Sequence, residues 1–159
     1  MFDGKLYYVL LDLCWIYALL RGGVPERLGA AIVAIGSAIT VAAMSSRAGR
    51  FGSVEVGAFI VDVLCLIAFL ALALRANRYW PLWIVALQII GTAAHAVKLA
   101  DPALIGRAYA FALAFWSYPM LLLIALGTWR HQRRLAEFGV DRSWSSSSGR
   151  SEPTTGPTI

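Results

Sequence analysis

The chain has 159 residues, of which 59% are apolar and 14% are charged, and its formal net charge is +5. Soluble domains carry about 25% charged residues, so this chain has too little polar surface to face water as a globular protein. Its basic residues form short clusters between apolar runs instead of a stripe on one folded face, which argues against nucleic acid as a partner.

Five apolar runs follow one another along the chain. They cover residues 6–20, 28–44, 54–74, 79–97 and 104–126. A spanning helix needs about 20 apolar residues, so the last three runs qualify, the second does so narrowly, and the first could instead be an interfacial helix. We therefore predict an all-α, polytopic transmembrane helix bundle over residues 1–136, with five helices, or four if the first run is interfacial.

The connections between the runs are short, which predicts that consecutive helices are antiparallel neighbours in a compact bundle. The second run carries a ridge of small side chains, Ala30, Ala34, Ala38 and Ala42. Such a ridge lets another helix approach closely. The short connections favour a seam inside the bundle over contact with a second copy, although the sequence leaves both open.

Orientation follows from the distribution of the 14 Lys and Arg residues. Nine lie in the connection 21–27, the connection 75–78 and the C-terminal segment, and five lie on the opposite side. The positive-inside rule then predicts a cytoplasmic C-terminus. Tyr79, Trp80, Trp83 and Trp129 would lie at the cytoplasmic interface. The Ser-, Gly- and Pro-rich segment 137–159 is predicted to be a disordered cytoplasmic tail.

Two acids lie inside apolar runs, where charged residues usually face the bundle interior or a wet cavity. Asp12 would lie roughly 9 Å and Asp62 roughly 12 Å below the outer boundary. His95, Lys98 and Arg107 fall near the same boundary, so we expect Asp62 to pair with one of them.

Helical spacing groups further polar residues with these acids. Gln88, Thr92 and His95 follow at i, i+4 and i+7, and Tyr8, Asp12 and Trp15 repeat that spacing in the first run. We expect both stripes to face inward. The candidate polar cluster therefore comprises Asp12, Asp62, Gln88, His95, Lys98 and Arg107.

This cluster is open to two interpretations. It could fix helix order through buried salt bridges, as in an accessory or structural protein that associates with a larger membrane complex or with itself. Alternatively, it could bind a small molecule or an ion, or relay a proton, in a transport subunit that acts as a homo-oligomer. No metal-binding, cofactor-binding or catalytic motif is present, so we expect neither a cofactor nor an enzyme. Membrane lipids and another membrane protein or a second copy are the expected partners.

The stretch Leu74-Arg-Ala-Asn-Arg-Tyr-Trp-Pro-Leu-Trp83, continuing to Gln88 and His95, resembles a group of small polytopic inner-membrane proteins of alphaproteobacteria. Residues 114–119 and 126–130 extend the resemblance over roughly the C-terminal half of the chain. The group has no assigned activity, so the resemblance implies a bacterial inner-membrane location and no functional residues. It also makes Arg78-Tyr-Trp-Pro81 look like a helix start, with Pro81 in the first turn.

Overall fold

A computed structural model describes residues 4–45, 51–100 and 106–145. In these residues the chain forms five α-helices: α1 (Gly4–Arg21), α2 (Val24–Ser45), α3 (Phe51–Arg75), α4 (Trp80–Ala100) and α5 (Gly106–Phe138). The predicted all-α chain of five helices is confirmed. Three segments of the described chain are long and apolar enough to cross a membrane: Val24–Ala42, Val56–Arg75 and Trp80–Val97.

The helices form a closed ring in which each helix packs against the next one along the chain and α5 returns to α1. Helix α2 also contacts α5 across the ring. Phe69, Ile84 and Ile124 are fully buried and place the core between α3, α4 and α5.

Helix α1 lies lengthwise beside α2 and α5. Near its start the Tyr7 hydroxyl lies 3.1 Å from Ser37 Oγ of α2, and the Tyr7 ring contacts Tyr118 of α5 edge to face. Near its end the Arg21 carbonyl accepts a hydrogen bond from Gln132 of α5. Helix α1 is therefore a full-length member of the bundle that runs parallel to α5, and not a helix lying across its surface.

Two helix starts carry a proline in the first turn, where its missing N–H costs no hydrogen bond. Helix α4 begins at Trp80 with Pro81 next, as the sequence predicted. Helix α2 begins at Val24, before the predicted apolar run, and takes Pro25 and Glu26 into its first turn. The acid there is favourably placed next to the helix N-terminus.

Helix α5 continues well beyond the apolar run that ended at residue 126. Its last turns are polar, but they contain no Pro or Gly before Gly139, so the helix continues to Phe138. Gly139 ends it with a left-handed φ of 70°, and its N–H donates to the Leu135 carbonyl. Glycine adopts this conformation without a steric penalty.

The structure corrects the predicted start of a disordered tail at residue 137. Residues 139–145 turn back from Gly139 and pair with the connection between α3 and α4 through an antiparallel bridge of Ala76 and Trp144. The polar composition of this segment does not predict its contacts, because the residues that it contacts lie far away in sequence. The rest of the predicted tail, 146–159, lies outside the described residues.

The alanine ridge of α2 is split between two environments. Ala30 is buried in the core and Ala34 is half-buried, whereas Ala38 and Ala42 are exposed. Close approach to α3 is made by Gly36 instead, where an added Cβ would come within 2.7 Å of Cys65 Sγ. Only the first half of the ridge thus forms a seam within the bundle.

Candidate functional site

A buried polar cluster occupies the end of the bundle at which α2 and α4 begin and α5 ends. We call it the basic-end cluster. It comprises Glu26, Arg78, Trp80, His131, Arg134 and Asp141. The three segments that the charge count placed on one side of the membrane therefore meet at one end of the fold.

Glu26 is the innermost charge of the cluster, and its side chain is 0% exposed. Its Oε1 accepts hydrogen bonds from Arg78 Nε at 3.0 Å and from Trp80 Nε1 at 3.1 Å. Its Oε2 has no hydrogen-bond partner within the described part of the chain and faces Gly23. A buried carboxylate is tolerated only when it is paired, so Glu26 depends on these two donors.

Arg78 uses its whole guanidinium group at the centre of the cluster. Besides bonding Glu26, it approaches Asp141 Oδ2 at 2.6 Å through one terminal nitrogen. The other terminal nitrogen donates to the carbonyls of Asn77 and Arg142, at 2.9 and 2.7 Å. The planar fork of arginine can satisfy several acceptors at once, which a lysine cannot do.

Asp141 holds the segment after α5 against the helix ends. Its Oδ2 is shared by Arg78 and His131 Nδ1, and its Oδ1 lies 3.0 Å from Arg134 Nε. The contact with Arg134 has the distance of an ion pair without the angle of a hydrogen bond. Two carboxylates and two guanidinium groups balance formally, so the cluster can be buried without a net charge.

The segment after Asp141 also satisfies backbone groups that the end of α3 leaves open. Ser145 donates through both its N–H and its hydroxyl to the Arg75 carbonyl, at 3.0 and 3.1 Å. Asn77 N–H donates to the Ser143 carbonyl at 3.1 Å. The last carbonyls of a helix need such partners, so the segment acts as a cap for α3.

The Trp80 indole is held between two helices at glycines. A Cβ added to Gly29 of α2 would lie 2.5 Å from Trp80 Cη2, and one added to Gly127 of α5 would lie 2.7 Å from Trp80 Cδ1 and Nε1. Trp80 is thus buried between α2 and α5 and does not face outward, and its predicted depth at the interface stays a prediction. Tyr79, Trp83 and Trp129 are exposed, which is compatible with an interfacial role.

The predicted pairing of Asp62 is found with His95. His95 Nε2 lies 3.0 Å from Asp62 Oδ2, and Gln88 Nε2 donates to the Asp62 carbonyl at 3.2 Å. Gln88 and His95 are buried, as expected for the stripe on α4, and Thr92 is half-buried. The Asp62 side chain is 27% exposed, so the pair lies at the edge of the α3–α4 contact.

The remaining predicted site residues are not brought to this pair. Asp12 is exposed on α1, and Tyr8 and Trp15 are exposed with it, so the inward-facing stripe predicted for α1 is wrong. The smaller side chains Cys14 and Ala18 face the core instead, because they allow α1 to approach its neighbours closely. Lys98 and Arg107 belong to α4 and α5, but their side chains lie outside the described part.

Sequence reasoning missed the basic-end cluster because it treated the clustered arginines as topology signals. Glu26 and Asp141 both lie in the segments assigned to the arginine-rich side, but a count of Lys and Arg does not register acids. Acids among arginines on one side of a bundle are the signal that could have revealed the pairing.

No protein-family model, curated protein or solved structure matches this chain. The resemblance to alphaproteobacterial membrane proteins therefore stays a prediction. Within the described residues, no three His, Cys, Asp or Glu side chains are placed to hold a metal ion. In the basic-end cluster and in the Asp62–His95 pair, the charged groups bind one another. These contacts fix the positions of the helices that carry them.

Proposed function

We propose that this chain is a multi-pass protein of the bacterial inner membrane that acts as an accessory or structural subunit, associating with a larger membrane complex or with itself. The observation that supports this proposal is the surface of the bundle, which has the reverse polarity of the surface of a water-soluble protein. Large apolar side chains face outward along the helices, while most of the buried charges pair inside. The most exposed of these apolar side chains on α3 and α4 are Leu64, Ile67, Leu74 and Trp83. A lipid environment accommodates such a surface, whereas water does not.

All five helices span the membrane in this proposal. Helix α1 packs against α2 and α5, with contacts to α2 at Tyr7 and to α5 at Arg21, so a membrane crossed by these helices is crossed by α1 as well. The basic end faces the cytoplasm, in agreement with the excess of arginine there. The basic-end cluster then lies near the lipid headgroups, with Trp83 and Trp129 in the interfacial belt.

A role in association fits the way the polar side chains are used. Glu26, Arg78 and Asp141 hold four helix ends and the segment after α5 in one arrangement, which suits a scaffold more than a mobile gate. The small, exposed side chain of Ala38 also suits close approach of a further helix to α2.

A second candidate function is ion or small-molecule binding in a homo-oligomeric transport subunit. It is favoured by the Asp62–His95 pair, because the Asp62 carboxylate is partly accessible and His95 can exchange a proton. A charged residue at membrane depth is a functional hypothesis by default.

Asp62→Asn separates the two functions. We expect the variant to melt at a lower temperature than the wild type, because His95 loses its charged partner, and to keep the wild-type complex size. The measurement is native size and co-purifying subunits after extraction from host membranes in mild detergent. A wild type that runs as a lone chain contradicts the accessory role. A variant that folds normally but loses ion or small-molecule flux establishes the second candidate.

A further inference from the structure

One stripe of α1 faces away from the bundle and contains a carboxylate. Tyr8, Asp12, Trp15 and Leu19 follow at i, i+4, i+7 and i+11, and all four are exposed. We call these residues the Asp12 stripe. The side chains beside it are also apolar and exposed, namely Val9, Leu13 and Ile16. The surface around Asp12 is thus apolar and suited to contact with the hydrocarbon chains of lipids.

Asp12 lies deep in the membrane of the proposed arrangement. It is central in α1, about 12 Å from either end of the helix. Cys14, two residues further on, donates to the Leu121 carbonyl of α5. Leu121 lies about 12 Å before the interfacial Trp129 along α5. The short side chain of Asp12 cannot reach the headgroups from that depth.

An ionised carboxylate facing hydrocarbon is strongly unfavourable, and such groups normally pair or face the interior of an assembly. In the described part of the chain, no cation or hydrogen-bond donor contacts the Asp12 carboxylate. The other acids of the spans behave differently, since Glu26 pairs with Arg78 and Asp62 with His95. The described residues thus leave the Asp12 carboxylate to a partner outside the bundle.

We infer that the Asp12 stripe binds a transmembrane helix of another protein, and that this helix carries an Arg or Lys at the depth of Asp12. The inference rests on the proposed accessory function and names its docking surface. The cation neutralises the carboxylate away from water, while Tyr8 and Trp15 pack on either side of the contact along the stripe.

Charge complementarity disfavours a second copy as the occupant. Two copies in the same membrane orientation, paired through this stripe, would bring one Asp12 against the other. The described exposed cations lie toward the two ends of the bundle and not at mid-depth: Lys5, Arg21, Arg27, Arg75, Arg130, Arg133 and Arg142. Among the described residues, another copy therefore has no exposed cation to offer at the required depth.

The test uses a synthetic Leu/Ala-rich transmembrane peptide of about 20 residues with one central Arg, and a matched peptide with Leu in its place. Energy transfer from the labelled full chain to each labelled peptide is titrated in phosphatidylcholine vesicles. We expect the wild type to bind the Arg peptide about tenfold more tightly. Asp12→Leu should abolish this preference, whereas Glu137→Gln, which removes an exposed acid near the end of α5, should leave it intact.

Equal binding of the two peptides by the wild type would overturn the inference, as would an Arg preference that survives Asp12→Leu. Energy transfer between copies of the chain without peptide, lost in Asp12→Leu, would make a second copy the occupant and also overturn it. If the Asp12→Leu variant still forms the wild-type complex in host membranes, the Asp12 stripe is not the docking surface, but the accessory function stands. Absence of any complex contradicts the accessory function itself.

Discussion

Arg78→Met is expected to destabilise the folded chain by about 3 kcal/mol, because it leaves Glu26 and Asp141 buried near the basic end without their common partner. Methionine keeps much of the arginine's apolar stem but supplies no donor. The Glu26 carboxylate would retain only the Trp80 indole as a donor in the described structure. The free energy of unfolding in mixed detergent micelles, followed by helical circular dichroism, measures the loss.

Arg75→Met is the matched control. Arg75 is exposed at the end of α3, so its substitution removes the same charge from the same side of the membrane and breaks no buried pair. We expect a change within about 0.5 kcal/mol. Equal losses in the two variants would show that the cluster contributes nothing beyond net charge.

A double variant tests whether Glu26 and Arg78 act together. Once Arg78 is methionine, Glu26→Leu removes a carboxylate that has lost its main partner, so we expect the second substitution to cost less than it does in the wild type. The difference should be about 1–3 kcal/mol, as for groups that share one network. Simple additivity of the two losses would contradict direct pairing.

Gly127→Ala is expected to lower the free energy of unfolding by about 1–3 kcal/mol through overpacking. The new methyl group would lie 2.7 Å from two atoms of the Trp80 ring. The ring cannot retreat, because Gly29 approaches it from the other side and its N–H is bonded to Glu26. Shifting Trp80 would therefore also weaken the basic-end cluster.

Gly91→Ala provides the control for a glycine within a helix. Apart from the adjacent residues and the backbone of α4 itself, no described atom lies within 4 Å of a Cβ added to Gly91, so the variant should be neutral or gain up to about 1 kcal/mol from helix propensity. In a Trp80→Phe background, the smaller ring should reduce the penalty of Gly127→Ala by more than half. A penalty of equal size in both backgrounds would place its origin elsewhere.

The sequence predicted the parts of the fold that depend on local patterns. Five apolar runs became five helices, and Pro81 lies in the first turn of α4 because its conformation suits a helix start. The length of α5 beyond residue 126 depends on helix propensity in a polar segment, which an apolar count does not register. The docking of residues 139–145 depends on Asp141 meeting Arg78, a contact between distant parts of the chain.

The candidate site was predicted in part for the same reason. Spacing on one helix placed Gln88 and His95 on a common face, and depth made His95 one of three expected partners of Asp62. The hydrogen bond from Gln88 to the Asp62 carbonyl was not predicted. Spacing also grouped Tyr8, Asp12 and Trp15 correctly, but it could not tell which face of α1 meets the bundle. That choice is made by the small side chains Cys14 and Ala18, which allow close packing.

The central claim, that the bundle crosses a membrane with its basic end in the cytoplasm, is tested most directly at the two ends of α4. Exposed positions there accept a single cysteine, Tyr79→Cys at the basic end and Ala100→Cys at the other, once Cys14 and Cys65 are replaced by alanine. About 30 Å separates these ends, close to the thickness of a bilayer core.

The measurement is labelling by a membrane-impermeant maleimide in intact and permeabilised cells. We expect the cysteine at position 100 to react in intact cells, and the cysteine at position 79 to react only after permeabilisation. Reaction of position 79 in intact cells, or equal reaction of both positions, would contradict the arrangement.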